Sequence, residues 1–421
     1  MSLKGDRIAA VALAVWLAGC VPAPDPSGGP SPFVPGEERT IGGDATTQAE
    51  FPDVTWGGED FFVTWNARRV GGADLFGLRV SPRGDLVGGA QTISAAPNNQ
   101  ARSSVAWGDG QFLAVWEDSR RGANEIFGTW ISARGAVLDQ NGFELADSRN
   151  AQSAPVAVWT GRGFFVVWTE EVGGTSGRDL YYTIVQPGVS STAPQSVPIV
   201  NAPGDQSEPA VAWGPSGGLL VWNDLRNGGG DEHAIDLYAA VLDADGRRRH
   251  STDLAVSEAT DGQRMPVVAW DRERFVVLWI DQREGNDQVY GARITPDGRL
   301  LDPSGIKVTR GAAPAGPPTL VAMPSGSLVG LWMEIGPGQH LLVGQVWDDG
   351  FGGLDRAAPG TAPHGRSGAL AYVSADRPSR PRGAATERGE LLVAWAGKRA
   401  GGGLETQIMM RVAEVKPSAP P

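Results

Sequence analysis

Apolar residues do not alternate with polar ones in this chain; they come in short blocks that end in tryptophan. The blocks are FFVTW, FLAVW, FFVVW, GLLVW, FVVLW, LVGLW and LLVAW, ending at Trp65, Trp116, Trp168, Trp222, Trp279, Trp332 and Trp395. Their separations are 51, 52, 54, 57, 53 and 63 residues. In five copies another tryptophan lies nine residues earlier, at Trp56, Trp107, Trp159, Trp213 and Trp270. Met323 takes that place in the sixth copy, and Tyr372 takes it in the seventh, ahead of an insertion at about 374–390. A Gly-rich charged loop then leads to a third block with an aromatic near its start, at Phe76, Phe127, Tyr181, Tyr238 and Tyr290. That block ends in a turn such as SPRGD, SARGA, DADGR or TPDGR, and a short fourth block follows. Four short strands in a unit of about 50 residues are the composition of a propeller blade. Consecutive apolar residues mean that both faces of the second strand are covered, as stacking of blades requires; a two-sheet sandwich would show alternation.

The ends of the chain complement each other. Residues 39–42 (RTIG) stand where a fourth strand belongs, matching QTIS at 91–94 and VPIV at 197–200, and the seventh unit stops after its third strand at 407–415. The pattern therefore predicts an all-β fold: a single seven-bladed propeller of four-stranded antiparallel blades, closed by the N-terminal strand, which removes the unpaired edges. A degenerate sixth copy and the insertion in the seventh leave counts of six or eight open.

Composition agrees. The 421 residues include 59 Gly and 31 Pro, which suit a chain of tight turns better than a helical one. A net charge of −12 argues against nucleic acid, which needs a concentrated cationic face, and against electrostatic attraction to anionic lipid. Membrane attachment would have to be covalent. Lys4 and Arg7 precede an apolar run from Ile8 to Leu17 that is too short to span a bilayer but fits a secretory signal. It stops at Leu17-Ala18-Gly19-Cys20, which resembles the lipobox of bacterial lipoproteins. The resemblance implies cleavage before Cys20 and lipidation of that residue, the only cysteine of the chain. Val21, in place of an aspartate, favours the outer membrane where that sorting rule applies. The expected division is a signal peptide at 1–19, a Pro/Gly/Ser-rich tether at 20–37, the propeller at 38–415 and a tail at 416–421.

The stretches VAWGDGQFLAVWEDSR (105–120), VVAWDRERFVVLWIDQR (267–283) and YGARITPDGRLLDPSGI (290–306) resemble repeats of secreted and lipid-anchored bacterial proteins, notably from myxobacteria. Those proteins are regarded as propeller-like and mostly lack assigned functions. The resemblance covers nearly all of 38–415, best in copies two and five, and brings no catalytic residues with it.

Two polar features recur. Trp-x-Asp-x-Arg gives Asp118 with Arg120, Asp224 with Arg226 and Asp281 with Arg283, while Arg69 and Arg399 keep only the arginine. An acidic residue also precedes the third-strand aromatic at Asp74, Glu125, Asp179 and Asp236. A glutamine lies seven residues before the first tryptophan at Gln100, Gln152, Gln206 and Gln263. Repetition favours a structural role for both sets, as charge-assisted corners and as main-chain ties. The functional alternative is a ring of binding groups on one face of the propeller.

The remaining chemistry is thin. Asp231, Glu232 and His233 adjoin one another, but no metal-binding spacing is present, so neither metal nor cofactor is expected. Arg377, Arg380, Arg382 and Arg388 read as an exposed loop, with an acidic partner as its functional alternative. The four histidines (His233, His250, His340 and His364) have no nucleophile elbow nearby. The expected function is a monomeric, non-enzymatic envelope module that binds a protein or glycan partner. The alternatives are a hydrolase or lyase acting on polysaccharide, which needs non-repeated carboxylates near the axis, and a spacer.

Overall fold

The computed structural model describes residues 31–43, 48–146, 148–174, 177–190, 196–228, 234–337, 340–348, 351, 365–373, 379–398 and 406–416. Cys20, Asp231, Glu232, His233, Arg377 and Arg399 lie outside them. The described chain is all-β, with 28 strands in five four-stranded sheets and one eight-stranded sheet. The larger sheet is two four-stranded units joined by a short parallel bridge, Gly72 and Ala73 beside Asn98 and Asn99. The strands thus fall into seven antiparallel four-stranded units.

The first strands of these units are Ala49–Trp56, Asn98–Gly108, Gln152–Trp159, Gln206–Gly214, Gln263–Trp270, Thr319–Ala322 and Arg382–Ala385. Each lies beside the first strand of the next unit, and the last lies beside the first. The second strands are the tryptophan-ended blocks, and every residue from Phe164 to Trp168 is buried. The block pattern has a direct cause. Phe164, Val166 and Trp168 enter the core shared with the second unit, whereas Phe165 and Val167 enter the core shared with the fourth. A strand of period two that feeds a core on each side must be apolar at every position. The same division holds around the molecule, and one core joins Trp65 and Phe76 of the first unit to Leu392 and Ile408 of the seventh.

The N-terminal strand, Phe33–Gly42, is the outer strand of the seventh unit and pairs with Gln407–Val415. Arg39 stands opposite Met410, Thr40 opposite Met409 and Gly42 opposite Ile408. The indole of Trp65 packs over Gly42, where a Cβ would stand 2.5 Å from the ring. This strand starts earlier than the sequence suggests. Phe33 is buried in the core between the sixth and seventh units, so the segment 33–37, read as tether, is paired. Its Pro and Gly are absorbed by a bulge between Pro35 and Glu38.

The seventh unit also departs from expectation. Tyr372 lies in the outer strand of the sixth unit, Arg366–Val373, rather than in an inner strand. The inner strand is Arg382–Ala385, inside the stretch read as a loop, with Ala385 opposite Leu391. The tyrosine misled because this short strand carries neither the tryptophan nor the glutamine of the other copies.

Candidate functional site

The repeated Asp-Arg motif forms a closed clasp. Asp118, Asp224 and Asp281 are wholly buried at the ends of their second strands. Each accepts the indole N–H of the tryptophan two residues earlier, at 2.9, 2.8 and 2.9 Å. Each also accepts the main-chain N–H and two guanidinium N–H groups of the arginine two residues later, at 2.9, 2.8 and 2.6 Å in the Asp118–Arg120 pair. The guanidinium then lies over the third-strand aromatic: Arg120 is 3.9 Å from the Phe127 ring, Arg226 4.1 Å from Tyr238 and Arg283 4.4 Å from Tyr290. Every strong group in this chain of contacts is used internally. In the third unit Glu170 replaces the aspartate and still accepts from Trp168, at 3.2 Å.

The glutamines stand directly across from these carboxylates, Gln100 opposite Asp118 and Gln263 opposite Asp281. All four are buried. Gln100, Gln206 and Gln263 donate to carbonyls of their own entry loops, those of Pro97, Gly204 and Asp261, at 3.3, 2.9 and 2.6 Å. Gln152 instead accepts the Ile126 N–H of the preceding unit at 2.8 Å. The structure thus gathers both predicted sets at one end of the strands and buries them, with the aspartates and the amide N–H groups of Gln100, Gln206 and Gln263 holding the loops.

Just beyond each glutamine the first strand breaks its register. Two residues after it the backbone turns left-handed, with φ of 46° at Arg102, 51° at Ala154, 50° at Glu208 and 56° at Met265. The first unit, which has Ala49 in place of the glutamine, does the same at Phe51 (φ 50°). Five non-glycine residues at one repeated position in this region form a built feature, since each costs free energy that its surroundings must offset. The Ala154 N–H is caught by Glu117 Oε1 at 2.8 Å and the Met265 N–H by Asn223 Oδ1 at 3.1 Å. Pairing carries the position into the other units: Asp53, Ser104, Thr319 and Arg382 each stand opposite the residue before the second tryptophan. Two residues before Thr319 and Arg382 are Pro317 and Arg380. The seven rim positions are therefore Phe51, Arg102, Ala154, Glu208, Met265, Pro317 and Arg380.

Charge converges on this rim from units far apart in sequence. Arg102 forms an ion pair with Glu208 at 3.0 Å and approaches Glu117 at 4.0 Å. Arg382 lies 3.6 Å from Asp53, whose other carboxylate oxygen accepts the Val105 N–H at 2.9 Å. Arg380 donates to the Met265 carbonyl at 3.1 Å. It is fixed from both sides: Ser379 is hydrogen-bonded to Ala396, and the Pro381 carbonyl accepts from Thr319. Among the described residues no carboxylate is in ion-pair contact with it. Burial, and then the like charge of Arg382, pull its pKa down to about 9, although part of the side chain still reaches solvent. Burial raises Asp53 and Glu117 above the ordinary carboxylate range, and their cationic and main-chain neighbours only partly counter it. Arg380 and Arg382, read from sequence as members of an exposed loop, thus join the rim contacts; of the described members of that set, Arg388 is exposed as expected. In the four units that carry the glutamine, the rim residue two positions after it differs each time, as Arg102, Ala154, Glu208 and Met265.

No family model and no curated protein matches the chain. Solved structures do. A protein of unknown function from Dyadobacter fermentans superposes with a TM-score of 0.55 at 13% identity, over 91% of this chain and 99% of that one. A polysaccharide lyase of family 25, an ulvan lyase bound to a glucuronate–sulfated rhamnose unit, gives 0.54 at 10% identity over 90% and 96%. A fungal alcohol oxidase in complex with copper gives 0.50 at 10% identity over 92% and 79%. The fold is β-propeller-like. At these identities the likeness extends to fold alone.

Proposed function

We propose that the chain is a lipid-anchored propeller of the cell envelope, seven-bladed and closed by its N-terminal strand, that acts as a non-enzymatic binding module. Its partner is a protein or a glycan, and its site is the rim formed by Phe51, Arg102, Ala154, Glu208, Met265, Pro317 and Arg380. Seven units packed in sequence, with the seventh against the first, support the ring. Acylated Cys20 would hold the monomeric body at the outer membrane through the tether.

One contrast carries the binding reading. Clasps and glutamines repeat their chemistry from unit to unit, as a frame does. The rim repeats its strained backbone in five units yet presents an aromatic, a cation, a methyl group, an anion and a thioether. A frame needs no such variety; a surface that recognises an asymmetric ligand does. The polysaccharide hydrolase or lyase remains as a second reading, favoured by the non-repeated Glu117 and Glu208 on either side of Arg102. Burial holds the Glu117 carboxyl above its ordinary range, and a raised carboxyl near a second one is an arrangement that acid–base chemistry uses.

The test is a cross-linked pull-down from envelopes with the wild type and a folded Phe51→Ala/Arg102→Ala/Arg380→Met variant. Loss of a partner in the variant supports the module. Identical partner profiles contradict it, and release of new reducing or unsaturated ends from envelope polysaccharide by the wild type moves the assignment to the enzyme.

A further inference from the structure

We propose that the rim recognises an acidic sugar unit, its carboxylate or sulfate held by Arg380 and its ring laid on Phe51. The inference rests on the binding reading above and names the ligand class.

The seventh, first and second units are neighbours, so Arg380, Phe51 and Arg102 form one continuous arc of the rim. The Phe51 side chain gains little from folding. The residue is 45% exposed, and it sits in a left-handed backbone that a bulky residue rarely adopts. The Arg102 guanidinium lies over one side of its ring, 5.7 Å from the centroid, which sets a cation beside the phenyl. A flat apolar side chain with a guanidinium beside it fits a pyranose, whose C–H face lies on the ring while its acid group points aside.

Arg380 supplies the anion site. Arg102 and Arg382 have Glu208 and Asp53 as partners, whereas Arg380 has a carbonyl. Burial and the like charges of Arg382 and Arg102 oppose its charge, and the more distant carboxylates of Glu208 and Asp53 only partly offset them. An arriving carboxylate or sulfate would make the paired, fork-shaped contact for which a guanidinium is suited. Across the rim, the Glu208 carboxylate, already paired with Arg102, has a second oxygen that can accept from a sugar hydroxyl. An acidic peptide would satisfy Arg380 but has no ring-sized apolar face for Phe51. Indiscriminate capture of polyanions is opposed by the net charge of −12.

The test is calorimetric titration of the mature chain with four probes: tetragalacturonate, the same tetramer with its carboxyls reduced to alcohols, a sulfated form of that reduced tetramer, and tetraglutamate. The account expects binding of the galacturonate, the sulfated sugar or both, about thirtyfold weaker binding of the reduced tetramer, loss of binding in Arg380→Met and about tenfold weakening in Phe51→Ala. Which of the two acidic sugars binds tells carboxylate from sulfate recognition. Equal binding of the reduced tetramer, or tighter binding of tetraglutamate, overturns the acidic-sugar inference and leaves the binding module standing. Binding of none of the four overturns it too. The module then falls only if the envelope pull-down is also indifferent to the rim variant.

Discussion

Arg102 and Glu208 are 106 residues apart in sequence and meet in a 3.0 Å ion pair. They belong to the second and fourth units, which are not neighbours, so the pair exists only because first strands from the whole chain converge. Both side chains are about half-exposed, and pairs open to solvent contribute about 0.2–1 kcal/mol. A double-mutant cycle on Arg102→Ala and Glu208→Ala, followed by urea denaturation, is therefore expected to give a coupling below about 1 kcal/mol. Loss of partner recovery without loss of fold is the signature of a recognition pair.

The clasp behaves in the opposite way. Asp118→Ala leaves the Arg120 guanidinium and the Trp116 indole N–H without their buried acceptor, and is expected to cost about 3–5 kcal/mol. Trp116→Ala empties a large site between two units, with a cost of about 3–5 kcal/mol. Denaturant midpoints check both. A melting temperature within about a degree of wild type for Trp116→Ala would contradict the stacked-unit architecture.

Arg380 carries a signed pH dependence. Its folded pKa lies below the ordinary arginine value, so the folded state disfavours its charge, and the penalty is fully present at every pH below about 9. Removing the charge in Arg380→Met is expected to raise stability at pH 7 by about 1 kcal/mol, a common size for relief of a functional strain. As pH rises above about 9 the wild-type arginine is relieved, and the advantage of the variant shrinks. Thermal melts at pH 7 and pH 10 measure the difference. A variant less stable than wild type at pH 7 would make Arg380 a structural residue.

At the other end of the chain, Cys20→Ala is expected to shift the protein from the detergent-extracted membrane fraction to the soluble fraction and to abolish incorporation of labelled palmitate. The far-ultraviolet circular dichroism of the body should not change, because the described strands begin at Phe33. Palmitate retained in the variant would refute the anchor.

The strands were legible because their chemistry repeats. A second strand packed on both faces leaves an unbroken apolar block that ends in tryptophan, and the glutamine and clasp positions recur with it. The N-terminal partner of Gln407–Val415 was legible from 39–42 but not from 33–37, since Pro and Gly in a bulged strand look like a tether. The site was concealed for the opposite reason. Recurrence points to Gln100, Asp118 and their counterparts, whose side chains are buried inside the fold. Phe51, Arg102, Glu208 and Arg380 share a place in their units but, the two arginines aside, no chemistry. No periodic pattern marks them, and only the pairing of Arg382 with Ala394 brings Arg380 into register.

The most direct test of the rim as the binding site is hydrogen exchange on the wild-type protein with and without its captured ligand. The account expects new protection in the segments around 51–53, 102–104, 206–208 and 379–382, with the hairpins at the opposite ends of the strands unchanged. Protection confined to those hairpins, or to the outer strands, would place the ligand elsewhere and contradict the account.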